Sequence, residues 1–218
     1  MKQMTKKQAI KIVGGRLTDT TKMPCKSFGL PAQECNVGKT LVEVEGSVCN
    51  GCYALKGMYR FTKVQKAQQR RFRKIYTKKW VKALVTMIGT DRWFRWHDSG
   101  DIHSLIHFTN MMSVIINTPD CDHWIPTKEY NLVETYVTSG GIIPKNCYLR
   151  LSGYMVDKKP PTELAKRLNA MPNVRGFIGT SSVHKKKKAS CPAHLQENQC
   201  KDCRVCWSTK QDVSYKWH

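Results

Sequence analysis

Acidic residues are scarce in this chain. Its 218 residues include 16 Asp and Glu against 37 Lys and Arg, which gives a formal charge of +21. No acidic residue occurs between Glu45 and Asp91, whereas the basic residues of this segment run from Lys56 to Lys82. A charge this large exceeds what solubility requires and predicts attraction to polyanions such as nucleic acid. The alternative is a generally basic protein whose charge is spread evenly over its surface.

Long apolar runs and targeting signals are also missing. No stretch stays apolar over the length of a bilayer-spanning helix, so we expect no membrane partner. The first residues, MKQMTKKQAIKIVGG, contain neither an apolar block nor a small-residue cleavage site, which argues against a secretory signal. We therefore expect a cytoplasmic protein. With 40% hydrophobic residues, the chain has enough apolar side chains for a packed core.

Cysteine, in contrast, is abundant. A reducing cytoplasm makes metal binding a better explanation for ten cysteines than disulfide bonds. Near the C-terminus the pattern C-x8-C-x2-C-x2-C is formed by Cys191, Cys200, Cys203 and Cys206. Structural zinc usually takes two well-separated pairs of cysteines, whereas consecutive x2 spacings match the run that bacterial ferredoxins wrap around a cubane cluster. The pattern favours a 4Fe-4S cluster over zinc, although Trp207 stands where ferredoxins have proline.

A second, looser group lies in the N-terminal quarter of the chain. The stretch SVCNGCYALKG contains a C-x2-C pair, and with two earlier cysteines it forms a candidate quartet of Cys25, Cys35, Cys49 and Cys52. A C-x2-C pair can also be a redox dithiol, but the company of the other cysteines favours a second metal centre. The remaining Cys121 and Cys147 stand alone and are expected to be buried as small apolar residues.

Strands and helices alternate through the middle of the chain. The predicted strands are 92–97, 123–126, 147–151 and 174–178, and the predicted helices between them are 104–116, 129–137 and 162–170. Upstream, TLVEVE at 40–45 predicts another strand, and 62–88 predicts one long helix with an apolar stripe. Such alternation indicates βαβ units and a parallel sheet. We predict an α/β domain over 1–184, folded as a partial (βα) barrel or an open parallel sheet, with a cysteine-rich metal-binding extension over 185–218 packed on it.

Polar residues follow the predicted strands. The strand ends read HDSGD at 97–101, PTKEY at 126–130, RLSGY at 150–154 and GTSSVHK at 179–185. The carboxyl ends of parallel strands meet at one edge of a sheet, and sites form there. Because their side chains exchange protons or bind anions, the candidate catalytic residues are His97, Asp98, Asp101 and Lys128. Each polar residue at these ends has an alternative role as a turn residue or helix cap.

Basic residues crowd the predicted helix over 62–88. We expect contacts to nucleic acid, either DNA or RNA, from Arg70, Arg71, Lys74 and Lys78 and, in a later lysine run, from Lys185 and Lys186. The alternative is a solvated helix face. The pattern gives no indication of the oligomeric state.

Several motifs together resemble the phage gene product 88 family. They are P-C at 24–25, C-x2-C-Y-A at 49–54, R-W-H-D-S-G-D at 95–101, P-T-K at 126–128 and C-P-A with C-x2-C-x2-C-W within 191–207. The resemblance runs from Met23 to Trp207. It implies a phage or mobile-element protein that works in the host cytoplasm.

That family is in turn similar to the radical S-adenosylmethionine barrels, which hold a cluster through C-x3-C-x2-C in the loop after their first strand. The segment TLVEVEGSVCNGCY has the strand, the final C-x2-C and the tyrosine, but Glu45 stands in place of the first cysteine. The resemblance implies that Cys35 or Cys25 supplies the missing ligand. It also implies that Ser99 and Gly100 lie in the loop that holds the cofactor's amino group. If both cysteines bind, no iron remains open for S-adenosylmethionine.

Three functions stay open at this point. The first is an iron–sulfur protein with two clusters and a basic surface that contacts nucleic acid. The second is a zinc-stabilised nucleic-acid-binding protein without catalysis. The third is an enzyme of the radical S-adenosylmethionine type, for which the sequence indicates no substrate.

Overall fold

One open sheet of seven strands organises the described residues, which are 4–185, 188–208 and 210–217 of this computed structural model. The strands are β1 (Thr18–Asp19), β2 (Lys26–Phe28), β3 (Trp93–Trp96), β4 (Asp122–Thr127), β5 (Cys147–Ser152), β6 (Phe177–His184) and β7 (Val213–Lys216). They lie side by side in sequence order. The pair β1–β2 is antiparallel, and every later pair is parallel. The edge strands β1 and β7 do not pair with each other, so the predicted α/β class is confirmed with an open sheet.

The helices are spread along the same chain order. They are α1 (Lys6–Val13), α2 (Val37–Leu41), α3 (Thr62–Phe72), α4 (Trp80–Ile88), α5 (Leu105–Ile116), α6 (Tyr130–Thr138), α7 (Thr162–Asn169) and α8 (Val205–Ser208). Thr5 and Gln8 form a capping box that begins α1, and Gly14 ends it with the positive φ that glycine adopts without strain. Ser104 caps α5 by accepting a hydrogen bond from the His107 amide. No helix in the described ranges is both long and apolar enough to cross a membrane.

The helices of the crossovers from β2 to β6 cover one face of the sheet. Parallel crossovers are right-handed in nearly all proteins, so a strand order that follows the sequence puts these crossovers on the same side. The last connection, from β6 to β7, departs from this rule, because its helix α8 lies on the opposite face. The large core lies on that side, where alternate strand residues such as Phe94, Ile125 and Leu149 pack against α1, α4, α5, α6 and α7. Side chains between them, including Trp124, point to the opposite face and contact Trp207 of α8. The C-terminal segment therefore covers the face that the crossovers leave bare.

The prediction of one long helix over 62–88 is wrong, because the chain forms two helices, α3 and α4, with turns over 73–79 between them. A straight helix over the whole segment would be about 40 Å long. The central strands β4 and β5 have six residues each, and such a strand spans only about 20 Å. Folding back lets Trp80, Leu84 and Ile88 of α4 enter the core, which a straight helix would overshoot.

The predicted strand TLVEVE at 40–45 is also wrong. Its first residues complete α2, the others form turns, and Val44 is exposed. Six alternating residues are a weak signal for a strand, and a contact from a distant part of the chain holds the start of α2 instead. Glu129 accepts a hydrogen bond from the Val37 amide at 2.9 Å. The strand that leads into the cysteine loop of radical S-adenosylmethionine barrels is therefore missing, and the structure does not support that part of the resemblance.

The last predicted strand is displaced along the chain, since β6 begins at Phe177 and continues through the polar run for which the sequence predicts a loop. Thr180 and Ser181 are buried in this strand. The Thr180 amide donates to the Asp212 carboxylate at 2.6 Å, and the Ser181 hydroxyl donates to Ser152 at 3.1 Å. Pairing with β7 also satisfies the backbone N–H and C=O groups in this half of β6, which explains why a polar sequence is extended here.

Candidate functional site

Asp101 joins the carboxyl ends of β3 and β4, where the polar strand ends meet. Its carboxylate accepts hydrogen bonds from the Thr127 hydroxyl at 2.6 Å and from the amides of Ile102 at 2.7 Å and Lys128 at 2.9 Å. Burial raises the pKa of Asp101, and these hydrogen bonds oppose the rise. Two of the predicted catalytic residues, Asp101 and Lys128, are thus neighbours at this edge.

Asp98 occupies another part of the carboxyl edge, between β2 and a loop that contains tyrosines. Its buried carboxylate accepts hydrogen bonds from the hydroxyls of Ser27 and Tyr59, the latter at 3.3 Å. Tyr53 donates to the Asp98 carbonyl at 2.5 Å. A Cβ on Gly29 would lie 2.5 Å from the carboxylate, so a larger residue there would displace Asp98. Asp98 therefore holds the loop that contains Tyr53 and Tyr59 against the sheet.

His97 does not join this group, which corrects the predicted catalytic set. Its ring is buried, and its centroid lies 5.7 Å from that of His107 on α5, on the helix-covered side of the sheet. Burial lowers the pKa of His97 well below its usual value, and His107 acts in the same direction. Among the described residues, neither ring nitrogen of His97 has a hydrogen-bond partner.

Ser99 and Gly100 form a turn that ties the end of β3 to the chain after β2. The Leu30 amide donates to the Ser99 carbonyl at 2.8 Å. A Cβ on Gly100, whose φ is +81°, would lie 2.7 Å from the Leu30 side chain, so the approach of the two segments requires glycine. These contacts give both residues a structural role in shaping the edge beside Asp101.

Three cysteines, Cys35, Cys49 and Cys52, lie together beside Lys128. The thiols of Cys35 and Cys49 flank Gly38, because a Cβ on that glycine would lie 3.5 Å and 3.7 Å from their two sulfurs. Burial raises the pKa of both thiols, and in each case the nearby Cys52 adds to the rise. Lys128 lies against Cys49 and partly offsets this rise in the pKa of its thiol. The thiols of Cys35 and Cys49 thus approach the same point beside Gly38, with Cys52 nearby at the carboxyl edge.

The loop that carries Cys49 and Cys52 is held against the end of β5. The Val48 amide donates to the Tyr154 carbonyl at 2.8 Å. The Tyr154 ring stacks on Tyr130 with 4.5 Å between centroids. Its hydroxyl also donates to the carbonyl of Lys128 at 2.9 Å. Sequence reasoning missed this pair of tyrosines, whose only signal was their position just after two predicted strands.

Cys25 lies elsewhere, so the predicted quartet of Cys25, Cys35, Cys49 and Cys52 is divided. It belongs to an apolar cluster on the face of the sheet opposite the crossover helices, with Trp124, Cys206 and Trp207. The Cys200 amide donates to the carbonyl of Lys22, which brings the two segments together at 2.9 Å. Burial raises the pKa of Cys25 to about 12; Arg95 opposes the rise, and Cys200 adds to it. Cys25 directly precedes β2 and so lies at the amino end of that strand, away from the carboxyl edge.

The four cysteines of the C-terminal group line one cavity. Its walls are Cys191, Cys200, Cys203 and Cys206, with Pro192, Ala193, Val205, Trp207 and Val213. Trp207 fixes this segment to the sheet, since its Nε1–H donates to the Phe94 carbonyl at 2.9 Å. Cys206 and the Tyr215 hydroxyl of β7 lie 3.4 Å apart. The C-x8-C-x2-C-x2-C pattern therefore closes around a shared space, as its spacing predicts.

The donor chemistry of both groups suits a thiolate-bound centre. All ten cysteines are free, and within the described ranges no three His, Cys, Asp or Glu side chains stand close enough to hold one metal ion. A zinc ion binds sulfur at about 2.3 Å and so draws its ligands within about 4 Å of one another. A cubane cluster is larger and is held by thiolates that stand further apart. Free thiols are the donor type that either kind of centre requires.

The predicted basic residues separate into different regions. Arg70, Lys74 and Lys78 are exposed on or just after α3. Arg71 is buried, which corrects its assignment to nucleic acid: its guanidinium donates to the Arg16 carbonyl and to the Thr18 hydroxyl, the latter at 3.0 Å. Arg71 therefore binds the chain around β1 and cannot meet a partner.

Lys185 is remote from α3. It follows β6, four strand spacings or about 19 Å from β2, and its ammonium lies 5.5 Å from the Trp217 ring centroid. Lys186 lies outside the described residues. Lys185 and the basic residues of α3 therefore do not form one patch, and among the described residues α3 carries the larger exposed group.

Together these features define an open α/β protein with strands in sequence order and two groups of thiols, one at the carboxyl edge and one on the face opposite the large core. The chain belongs to the gene product 88 family, whose family model matches residues 2–209. The predicted family is thus confirmed over nearly the whole chain. In the same comparisons, no curated protein and no solved structure gives a significant match.

Proposed function

We propose that the protein is an iron–sulfur protein with two cluster centres. One cluster, on the face opposite the large core, would be held by Cys191, Cys200, Cys203 and Cys206. Cys35, Cys49 and Cys52 would hold the other at the carboxyl edge. The observation that carries the proposal is the gathering of seven cysteines, distant in sequence, into two groups of free thiols.

The two centres would differ in their ligand sets. Four thiols can cap every iron of a 4Fe-4S cluster, whereas three thiols leave one iron to a ligand other than cysteine. Lys128 and Asp101 are the polar side chains beside the three-thiol group. A bound cluster supplies one-electron redox chemistry and also cross-links the chain segments that ligate it.

The proposal includes contact with nucleic acid through α3. The observation that favours it is an exposed row of basic side chains in a segment that has no acidic residue between 46 and 90. Lysine and arginine on one helix face displace counterions from phosphates, which gives affinity without sequence preference. A cluster centre and a basic surface in one chain define an iron–sulfur protein that acts on or near nucleic acid.

The decisive experiment measures iron, acid-labile sulfide and zinc in full-length protein purified without oxygen, together with its visible spectrum. We expect about eight irons and eight sulfides per chain, with broad absorption that bleaches on reduction. The double variants C200S/C203S and C35S/C49S should each lose about half of the iron. Cys121→Ala, which removes a buried cysteine outside both groups, should lose none. Stoichiometric zinc in colourless protein would overturn the proposal in favour of a zinc-stabilised protein.

A further inference from the structure

The exposed face of α3 carries a regular row of positive charge. Residues three or four apart on a helix share a face, and the exposed members of this row are Lys63, Lys66, Arg70 and Arg73. None of them forms an ion pair within the described residues. The other side of α3 is packed into the fold through Gln68 and Arg71. The row is therefore free to meet a ligand, and the helix has no apolar face left to offer.

A groove between α1 and the C-terminal end of α3 continues this row. It offers about 590 Å³ of space and is lined by the basic side chains Lys11, Arg70, Arg73 and Lys74 and by Gly14 and Gly15. The described residues that line it include no acidic side chain. The volume lies within the range of about 300–1,000 Å³ that ligand sites occupy. Positive charge without a counter-charge suits the phosphates of a nucleic acid strand.

Exposed aromatic side chains mark the other end of α3. Phe61, the residue before the helix, is 62% exposed. Nine residues separate it from Arg70, which corresponds to about 14 Å along the helix axis. Tyr53 is 57% exposed and meets Tyr59 edge-on at 5.7 Å between centroids. Because Tyr53 directly follows Cys52, the aromatic surface extends from α3 to the three-cysteine group.

We propose that this surface binds single-stranded nucleic acid, with phosphates in the groove and along α3 and a base stacked on Phe61. The strand would then lead toward Tyr53 and the carboxyl edge of the sheet. This inference rests on the nucleic-acid part of the proposed function and adds the form of the ligand. A positive groove beside exposed aromatic rings is the arrangement that single-strand binders use, since every base has a face to stack.

Two other polyanionic partners fit the surface less well. In a duplex the bases are already stacked on each other, so Phe61 would gain no contact with them. An anionic membrane would attract the same lysines, but stable binding also needs an apolar helix face to enter the lipid. The inner face of α3 is packed against the protein, as Gln68 and Arg71 show, and is not available for that purpose.

The test uses fluorescence anisotropy with a labelled 20-nucleotide oligothymidine, a mixed-sequence 20-mer and its duplex. We expect the full-length protein to bind the single strands more tightly than the duplex. Phe61→Ala should weaken single-strand binding about 5- to 100-fold and leave duplex binding unchanged, while Phe61→Tyr should retain it. Ile106→Ala, on α5, removes a comparably exposed apolar side chain (65%) and should have no effect.

The double variant R70A/R73A tests the charged part of the surface. It should weaken the binding of every nucleic acid and reduce the single-strand salt slope by about 1.4, since each lost phosphate contact contributes about 0.7. Lys145→Ala, exposed near the opposite end of the strands, is the matched control. Visible absorption per chain should be unchanged in all variants, which shows that they remain folded around their centres.

The possible failures can be told apart. If the protein binds none of the oligonucleotides at any salt concentration, the nucleic-acid part of the proposed function is wrong. If it binds them but Phe61→Ala behaves like Ile106→Ala, or the duplex binds as tightly as the strand, only the single-strand inference is wrong. Stronger association with vesicles containing phosphatidylserine than with oligonucleotides would also overturn it.

Discussion

His123 shows how a single buried side chain links this fold to pH. The Trp96 Nε1–H can only donate, so the His123 Nδ1 that it meets at 3.2 Å must accept. The other ring nitrogen lies 2.8 Å from the Thr118 hydroxyl. The neutral ring satisfies both contacts. A second proton would sit on Nδ1, where it would point at the Trp96 N–H and break that hydrogen bond. Burial accordingly lowers the pKa of His123, and that of His107, to about 3.

We predict that these two histidines make the protein sensitive to acid. Their folded-state pKa values lie below the unfolded value of about 6.5, so the unfolded chain takes up protons first. The stability they confer is complete above about pH 6.5 and is lost as the pH falls toward 3. Each contributes a slope of about 1.4 kcal/mol per pH unit in that window. Urea unfolding at pH 7, 5.5 and 4.5 measures the slope.

The variant His123→Asn isolates one of these contributions. An amide can still accept from Trp96 and donate to Thr118, but it does not titrate, so the slope should fall by about 1.4 kcal/mol per pH unit. Asp101, whose pKa is raised, changes stability in the opposite direction and is the same in both proteins. An identical slope in His123→Asn and the parent would contradict the assignment.

The sequence predicted which residues lie at the strand ends or in the core more reliably than which residues they contact in space. The sequence named Asp101 and Lys128 among four candidate residues at the strand ends, and in the structure the Lys128 amide donates to the Asp101 carboxylate. It also predicted buried Cys121 and Cys147, which is confirmed. The position of Cys25 could not be predicted, because spacing along the chain does not say to which end of a strand a residue belongs. Arg71 was misassigned because burial of a guanidinium depends on carbonyls from another segment.

Among the elements, α8 depends most on tertiary contacts. It has four residues, far fewer than an isolated helix needs to be stable. Trp207, 1% exposed, packs against Trp124 and is hydrogen-bonded to the Phe94 carbonyl of β3. The tryptophan therefore fixes the whole cysteine-rich segment to the sheet, and α8 exists because the sheet holds it.

We predict that Trp207→Ala destabilises the protein by about 3–5 kcal/mol, the usual cost of removing a buried aromatic side chain. Trp207→Phe keeps most of the apolar contact but loses the hydrogen bond to the Phe94 carbonyl, at a cost of about 0.5–1.5 kcal/mol. Urea unfolding followed by circular dichroism measures both. Leu195→Ala, on the same segment but 76% exposed, should change stability by less than about 0.5 kcal/mol. Equal effects of Trp207→Ala and Leu195→Ala would show that the segment is not held in this way.

The central βαβ elements could be predicted from periodicity, and the elements near the cysteines could not. The strands β3, β4 and β5 and the helices α5, α6 and α7 match the predicted segments closely, because each carries a strong apolar pattern that one sheet face requires. The predictions failed for 40–45, 62–88 and 174–178. In these segments the outcome depends on contacts with Glu129, on the length of the sheet and on pairing with β7.

At the scale of the whole molecule, packing leaves a large excess of positive charge unbalanced. The chain has 37 basic and 16 acidic residues, and none of the ion pairs among the described residues involves the row on α3. Like charges at this density repel one another and work against the compact state. Salt weakens this repulsion, because at 0.15 M it screens charges beyond about 8 Å.

We predict that raising KCl from 20 to 300 mM increases the thermal midpoint of unfolding by about 2–4 °C, which corresponds to about 1 kcal/mol for a chain of this size. Differential scanning fluorimetry of the anaerobic protein measures the shift. The variant K78E/K79E, which lowers the positive charge beside α3, should gain less from salt and start from a higher midpoint. A midpoint that falls with salt in the parent would show that attractive ion pairs outweigh the repulsion.

The strand order has a further consequence, for the time course of synthesis. Because the helices of the crossovers from β2 to β6 lie on one face, that face is covered step by step as each βαβ unit leaves the ribosome. The opposite face, with Trp93, Trp124 and Cys25, stays open until the segment around Trp207 has been made. Throughout that interval the nascent chain presents apolar side chains and a free thiol together. The same uncovered face is a natural place for a chaperone to reach the protein before it closes.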